Sequence, residues 1–331
     1  MSIQDIVKTP EAATAPAPVR ARRVRPRWDT ALVIGLGVAF LAVGAATDNF
    51  YTWGNARAIV TSASIVGIAA LAATVILVVG GMVSMATASV ASLGAIVFVG
   101  ALDQGFALAA LLTFAVVGGL YAALGWLIGQ WAVNPIIVTI AAASLVQGLI
   151  LATTDGALVT TSNDSLDWLN SRVGGIPISV PTFVVLALLL HVGLTSTTWG
   201  RRIFMVGENR EAARVAGLRL GRVVASAFLV AGLLTAVVGM FLGAVTTNAS
   251  LEVGGNLTFD AVAAALVGGA SVAGGRGSAL RTLAGALVIA TVSDLLLLRG
   301  FGTGAQICIK GLIVLLAVLA VHLRSGERRA S

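Results

Sequence analysis

AIVTSASIVGIAALAATVILVVG, residues 58–80, decides the fold. The run carries no charged side chain and is long enough to cross the roughly 30 Å hydrocarbon core of a bilayer as a helix. Segments of the same character lie at about 30–47, 84–102, 106–130, 135–154, 180–199, 223–246, 259–273, 279–298 and 305–323. Ten spans are therefore predicted, in an all-α polytopic membrane fold. The stretch 259–273 is short and ends in glycines, which reads as a broken or partly re-entrant helix. Glycines recur inside the segments, as at Gly118, Gly119 and Gly125, and small residues let helices approach closely in lipid. No alternation typical of a β-barrel runs through the chain.

Composition agrees. Of 331 residues, 58% are hydrophobic and 11% charged, and the mean hydropathy is +0.99. A soluble domain is about a quarter charged. A chain so poor in charge cannot cover a water-facing surface. The net charge of +7 is not a nucleic-acid signature, because the charges sit in a few loops and both tails. Cys308 lies in an apolar stretch and reads as a small packing residue. His191 and His322 have no third ligand near them, so no metal site is expected.

Charge placement orients the chain. Residues 1–29 hold Ala/Pro-rich sequence and a basic run, RARRVRPRW (20–28), and read as a disordered basic tail rather than a cleavable signal. With that tail inside and ten crossings, the inside also receives Arg201, Arg202, Arg210, Arg214, Arg219 and Arg222 of the 200–222 loop. Arg276, Arg281 and the 324–331 tail fall there too. Arg57, Arg172, Arg299 and Lys310 are left on or near the outside, with the acids Asp48, Asp103, Asp155, Asp164, Asp167 and Glu252. The positive-inside bias thus predicts cytoplasmic N- and C-termini around a membrane domain at 30–323.

Three segments carry mechanism. The inside loop GRRIFMVGENREAARVAGLRLGRV (200–223) contains a short charged helix from Glu208 to Gly217, with Gly217 placed to end it. An energy-coupled transporter needs a rigid knob of this kind for a cytoplasmic motor; a solvated charged loop is the competing reading. VVGGMVSMATAS (78–89) and LVGGASVAGGRGS (266–278) resemble each other, each after an apolar helix and before another, a hint of an internal repeat. Gly268, Gly269, Gly274, Gly275 and Gly277 read as a tight turn. They follow a helix rather than a strand, which argues against a phosphate loop, and no G-x-x-x-x-G-K-[ST] occurs.

The pattern Gly207, Asn209, Glu211, Ala212, Ala213, Arg214, Gly217 resembles the coupling-helix segment of ribose-type ABC permeases, a superfamily that extends to branched-chain amino acid permeases. Asp260 to Ser278, NPIIVTI (134–140) and I-x-x-K-G-L-I-V-L-L-A-V (307–318) are similar to further stretches of that family, in the expected order. The resemblance implies a multi-pass permease subunit in a bacterial inner membrane, importing a small polar solute, foremost a monosaccharide or related sugar or polyol. It implies a second permease copy or a paralogue, with the pathway at their interface. It implies partner ABC ATPase subunits that bind ATP and Mg, so that this chain itself is no enzyme and holds no cofactor. It also implies an extracytoplasmic solute-binding protein, which selects the solute. Coupling to the ATPase would fall to Gly207, Glu208, Asn209, Glu211, Ala212, Ala213 and Gly217. Ribose-type members carry Asp-Leu-Ser and then a Gly after the first glycine pair; here the chain reads Met82-Val83-Ser84-Met85-Ala86-Thr87, so ribose specificity is not carried over.

Candidate path residues are Ser84, Thr87, Asn134, Gln147 and Asp294. Asp294 is an intramembrane acid, facing a cavity or pairing locally with Arg299. Asn134 and Gln147 line a pathway or bond across helices. Asp260 caps a helix dipole and Lys310 snorkels outward. Trp28, Trp131 and Trp199 fall at membrane boundaries as anchors among the lipid headgroups. A branched-chain amino acid permease, an ion-gradient-driven secondary transporter and a membrane scaffold without transport are the rival readings.

Overall fold

A computed structural model describes Thr47 and residues 50–161, 165–173, 175–313 and 315. The predicted span at 30–47, except Thr47, both tails, Trp28, Asp48, Asp164 and the end of the last predicted span lie outside them.

Among the described residues, seven helices are long and apolar enough to cross a membrane. They are α1 (Trp53–Gly80), α2 (Thr87–Ala101, continued by a 3-10 turn to Gln104), α3 (Phe106–Trp131) and α4 (Pro135–Thr154). After a short α5 (Ser165–Leu169) come α6 (Ser179–Ser196), α9 (Leu220–Thr246) and α11 (Ala279–Leu298). Between α6 and α9 lie α7 (Thr198–Glu208) and α8 (Arg210–Val215). The predicted span at 259–273 is α10 (Leu257–Val267), 11 residues long. At 1.5 Å per residue it covers about 16 Å, half a bilayer core, so the broken-helix expectation holds there. Residues 303–313 are helical, at the start of the last predicted span.

The core is organised around α1. Of its most apolar window 83% is buried, against 22% in α4 at the rim. An all-round apolar helix suits the centre of a bundle, because no face has to meet water. Small residues set contacts elsewhere in the bundle. On α9, Gly232 packs on Tyr121 and Gly118 of α3, and Gly239 packs on Gly94, Ala91 and Ala95 of α2. Short polar side chains tie the helices. Ser64 of α1 donates to Ser179 of α6 at 2.8 Å, and the Thr74 and Thr282 hydroxyls of α1 and α11 lie 2.8 Å apart. Each such bond in lipid adds about 0.6 kcal/mol.

The loops on the face where α1 begins are laced together. Val159–Thr160 pairs antiparallel with Asn248–Ala249, and Arg172–Val173 with Ile176–Pro177. Asn170 donates to the Ala244 carbonyl at 2.6 Å and Thr161 to Asp103 at 2.8 Å. The opposite face, where α1 ends, carries α7 and α8 with their arginines and is the charged face of the molecule.

Candidate coupling and translocation site

On the charged face three distant segments meet through bare backbone. Gly207, near the end of α7, lies so close to the Val78 carbonyl of α1 that a Cβ would overlap that oxygen, and the Cβ would sit 2.7 Å from Gly275 N. Gly275 N–H donates to the same Val78 carbonyl at 2.9 Å. A Cβ on Gly274 would come within 2.9 Å of Gly81 N. Gly81 caps α1 with φ 64°, and Gly274 and Gly275 also hold positive φ, conformations open to glycine. The glycine turn after α10 thus clamps the end of α1 against α7. Gly268 packs on the Thr282 backbone of α11, and Gly277 on Val78 and Thr74.

Sequence reading expects one short helix from Glu208 to Gly217; the structure breaks it at Asn209. That residue is extended, φ −156°. Its N–H closes α7 on Met205 O at 3.1 Å, while its side-chain oxygen accepts from Ala212 N at 3.0 Å and opens α8. At the other end Gly217 takes φ 79°. Leu218 N donates to Ala213 O and Gly217 N to Arg214 O, both at 3.0 Å, the paired bonds of a Schellman cap. Ala213 is buried against the body, whereas Val215, Glu211 and Ala212 are exposed. The Glu211–Arg214 pair at 3.6 Å is solvent-exposed and contributes little. Arg210 reaches over Gly80 towards the Met82 sulfur at 3.8 Å, and partial burial pushes its pKa below the usual guanidinium value.

From this junction residues 81–86 run as an irregular strap into the bundle. Its far end is held by hydroxyls. Ser84 lies 3.4 Å from the Tyr121 hydroxyl, which donates to Thr87 at 3.2 Å. Met85 N donates to Thr139 of α4 at 3.1 Å, and Ala88 N to Thr258 of α10 at 2.9 Å. Gln147 of α4 donates to Ser89 at 2.9 Å. Ser84, Thr87 and Gln147 therefore share one region, where α2, α3, α4 and α10 meet.

Two other candidates lie elsewhere. Asn134 caps α4, accepting from Ile136 N at 2.9 Å. Asp294 accepts from Asn55 of α1 at 2.8 Å, towards the face where α1 begins. Trp131 is exposed at the end of α3, and Trp199, half-buried against the core, donates to Ser226 at 3.0 Å. Cys308 is exposed rather than packed. Sequence reading missed the bond partners Tyr121, Thr139 and Thr258. It also read Asp260 and Lys310 separately; they form one ion pair, Lys310 Nζ lying 2.8 Å from Asp260.

The family model described as branched-chain amino acid transport system / permease component matches residues 55–321. The chain belongs to this family. The permease is 29% identical over 340 residues to the L-arabinose ABC transporter permease protein AraH of Azospirillum brasilense, covering 100% of this chain and 98% of that one. It is 30% identical to the Ribose import permease protein RbsC of Escherichia coli K12, over 87% of this chain and 91% of the relative. With RbsC of Bacillus subtilis the identity is 35%, over 61% of the permease and 64% of the relative. No solved structure gives a significant match.

Proposed function

We propose that the permease is the membrane subunit of an ATP-driven importer for a monosaccharide or related sugar or polyol, in a bacterial inner membrane with both termini cytoplasmic. The observation that carries the reading is the glycine junction, which joins the charged segment 198–217 to the end of the central helix without an intervening side chain. Relatives named for ribose and L-arabinose support the substrate class. The arginines of α7 and its surroundings support a cytoplasmic charged face.

In this reading partner ATPase subunits, which bind ATP and Mg, grip α7 and α8. Because Gly207, Val78 and Gly275 touch through backbone, a displacement of α7 reaches α1 with little slack. Arg210 adds a second hold on Gly80 and Met82. The strap 81–86 then carries the displacement to Ser84 and Thr87, whose hydroxyl contacts re-form as the path opens to the other side. A solute-binding protein delivers sugar to the opposite face, and a second permease copy or a paralogue completes the path.

The test is uptake in proteoliposomes holding the permease, its ATPase subunits and its binding protein, with labelled pentoses, hexoses and leucine. Sugar uptake that needs ATP, and falls at least about tenfold in Gly207→Val while the protein still inserts, is the expected result. Leucine uptake without sugar uptake would move the substrate to branched-chain amino acids. Uptake that persists without the ATPase, driven by an ion gradient, would remove the coupling role altogether.

A further inference from the structure

An unassigned groove of about 290 Å³ lies along α10 and the helical residues 303–313. Asn256, Phe259, Asp260, Ile307, Lys310 and Gly311 line it. Lys310 Nζ donates to both carboxylate oxygens of Asp260, at 2.8 and 3.0 Å, and the two side chains are 11% and 15% exposed. A charge at the centre of a membrane helix costs about 2.5–3.5 kcal/mol. Replacing a buried pair by apolar residues is often neutral or stabilising, so stability alone does not account for this one.

The lining has a chemistry. Two of the three ammonium protons are used on Asp260, and a carboxylate offers about four lone-pair sites. Acceptor and donor capacity therefore remains beside the Asn256 amide. Phe259, 63% exposed, supplies an aromatic face in the same groove. A ring that carries hydroxyls on its rim and C–H groups on its face matches such a lining; a lipid tail matches Phe259 and Ile307 but leaves the charged pair unused. The volume sits at the lower edge of small-molecule sites and accommodates one small solute. Position agrees as well. The residue before Phe259, Thr258, accepts from Ala88 N, so the groove is one helix away from the Ser84–Thr87–Tyr121 hydroxyls.

We propose that this groove is a transient contact site for a monosaccharide crossing the membrane, with Asp260 and Lys310 bonding ring hydroxyls and Phe259 covering the C–H face. It rests on the sugar-import reading above. The test uses the full permease with its ATPase and binding protein in proteoliposomes, comparing Phe259→Ala and the exchanged pair Asp260→Lys/Lys310→Asp with the unsubstituted protein. Displacement of the charged donor and acceptor from the ring hydroxyls, or loss of the aromatic face, predicts a fall in sugar uptake of about tenfold or more in each variant. ATP hydrolysis stimulated by the binding protein should stay within about twofold of the unsubstituted rate, with about tenfold as the loss to compare against. Uptake unchanged in the exchanged pair, or in Phe259→Ala, overturns the site while leaving the importer reading intact. If the exchanged pair fails to insert, Phe259→Ala decides alone. A shift of Phe259→Ala from dimer to monomer assigns the face to a second copy and overturns the sugar site. No sugar uptake by the unsubstituted system overturns both readings.

Discussion

At the scale of single residues, two glycines in the charged segment 198–217 make opposite demands. Gly207 lacks room: any side chain meets the Val78 carbonyl and Gly275. Gly207→Ala is expected to destabilise by about 1–3 kcal/mol, read as a lower unfolding midpoint in detergent, because backbone neighbours cannot step aside as a side chain can. Gly217 has open space and needs only its positive φ of 79°. Thr247 is the converse case, a β-branched residue held at φ 55° at the end of α9. Thr247→Gly should stabilise by about 0.5–1 kcal/mol, in the same melting measurement, by relieving a left-handed conformation that glycine adopts freely. Gly207 and Gly217 both stand out in the motif as a string of letters. Their different reasons do not, since crowding at Gly207 comes from residues more than 60 positions away on either side.

Helices show which signals a sequence carries. The spans at 58–80, 84–102, 106–130, 135–154, 180–199, 223–246 and 279–298 are legible because each is a local property, a sufficient run of apolar residues. The interruption at Asn209 is less so: arginine, glutamate and alanine around it favour one helix, and the amide side chain wins by supplying the first turn of α8 with an acceptor. Asn209→Ala should cost about 1 kcal/mol of local stability. Faster amide exchange at residues 210–215, with α9 unchanged, is the measurement; equal exchange would show that tertiary contacts alone hold α8. The hinted repeat gains physical sense. Both α1 and α10 end in a glycine pair whose second member has positive φ, Gly81 and Gly269. Both ends lie on the charged face, since Gly275 bonds to Val78. The Asp260–Lys310 pair spans 50 residues and two elements, which is why spacing along the chain hides it.

Across the whole molecule the orientation is open to a direct check. Val215→Cys and Tyr51→Cys, in a Cys308→Ser background, place exposed thiols on opposite faces. A membrane-impermeant thiol reagent should label position 51 in intact spheroplasts and position 215 in inside-out vesicles. The reverse pattern would invert the topology drawn from the arginines.

The burial of α1 has a further consequence, for biogenesis. Residues 53–80 leave the ribosome long before 220–246 and 279–298, the helices that enclose them. At 5–20 residues per second that interval is roughly 10–40 s. For that time α1 has to reside in the lipid beside the translocon as a stand-alone span. Its long stretch free of charge after Arg57, interrupted only by short hydroxyls such as Ser64 and Thr74, is what permits the wait. A polar substitution on any side of α1, harmless to a helix already enclosed, would be felt first by the insertion machinery, and nascent chains released before residue 220 should still hold α1 in the membrane.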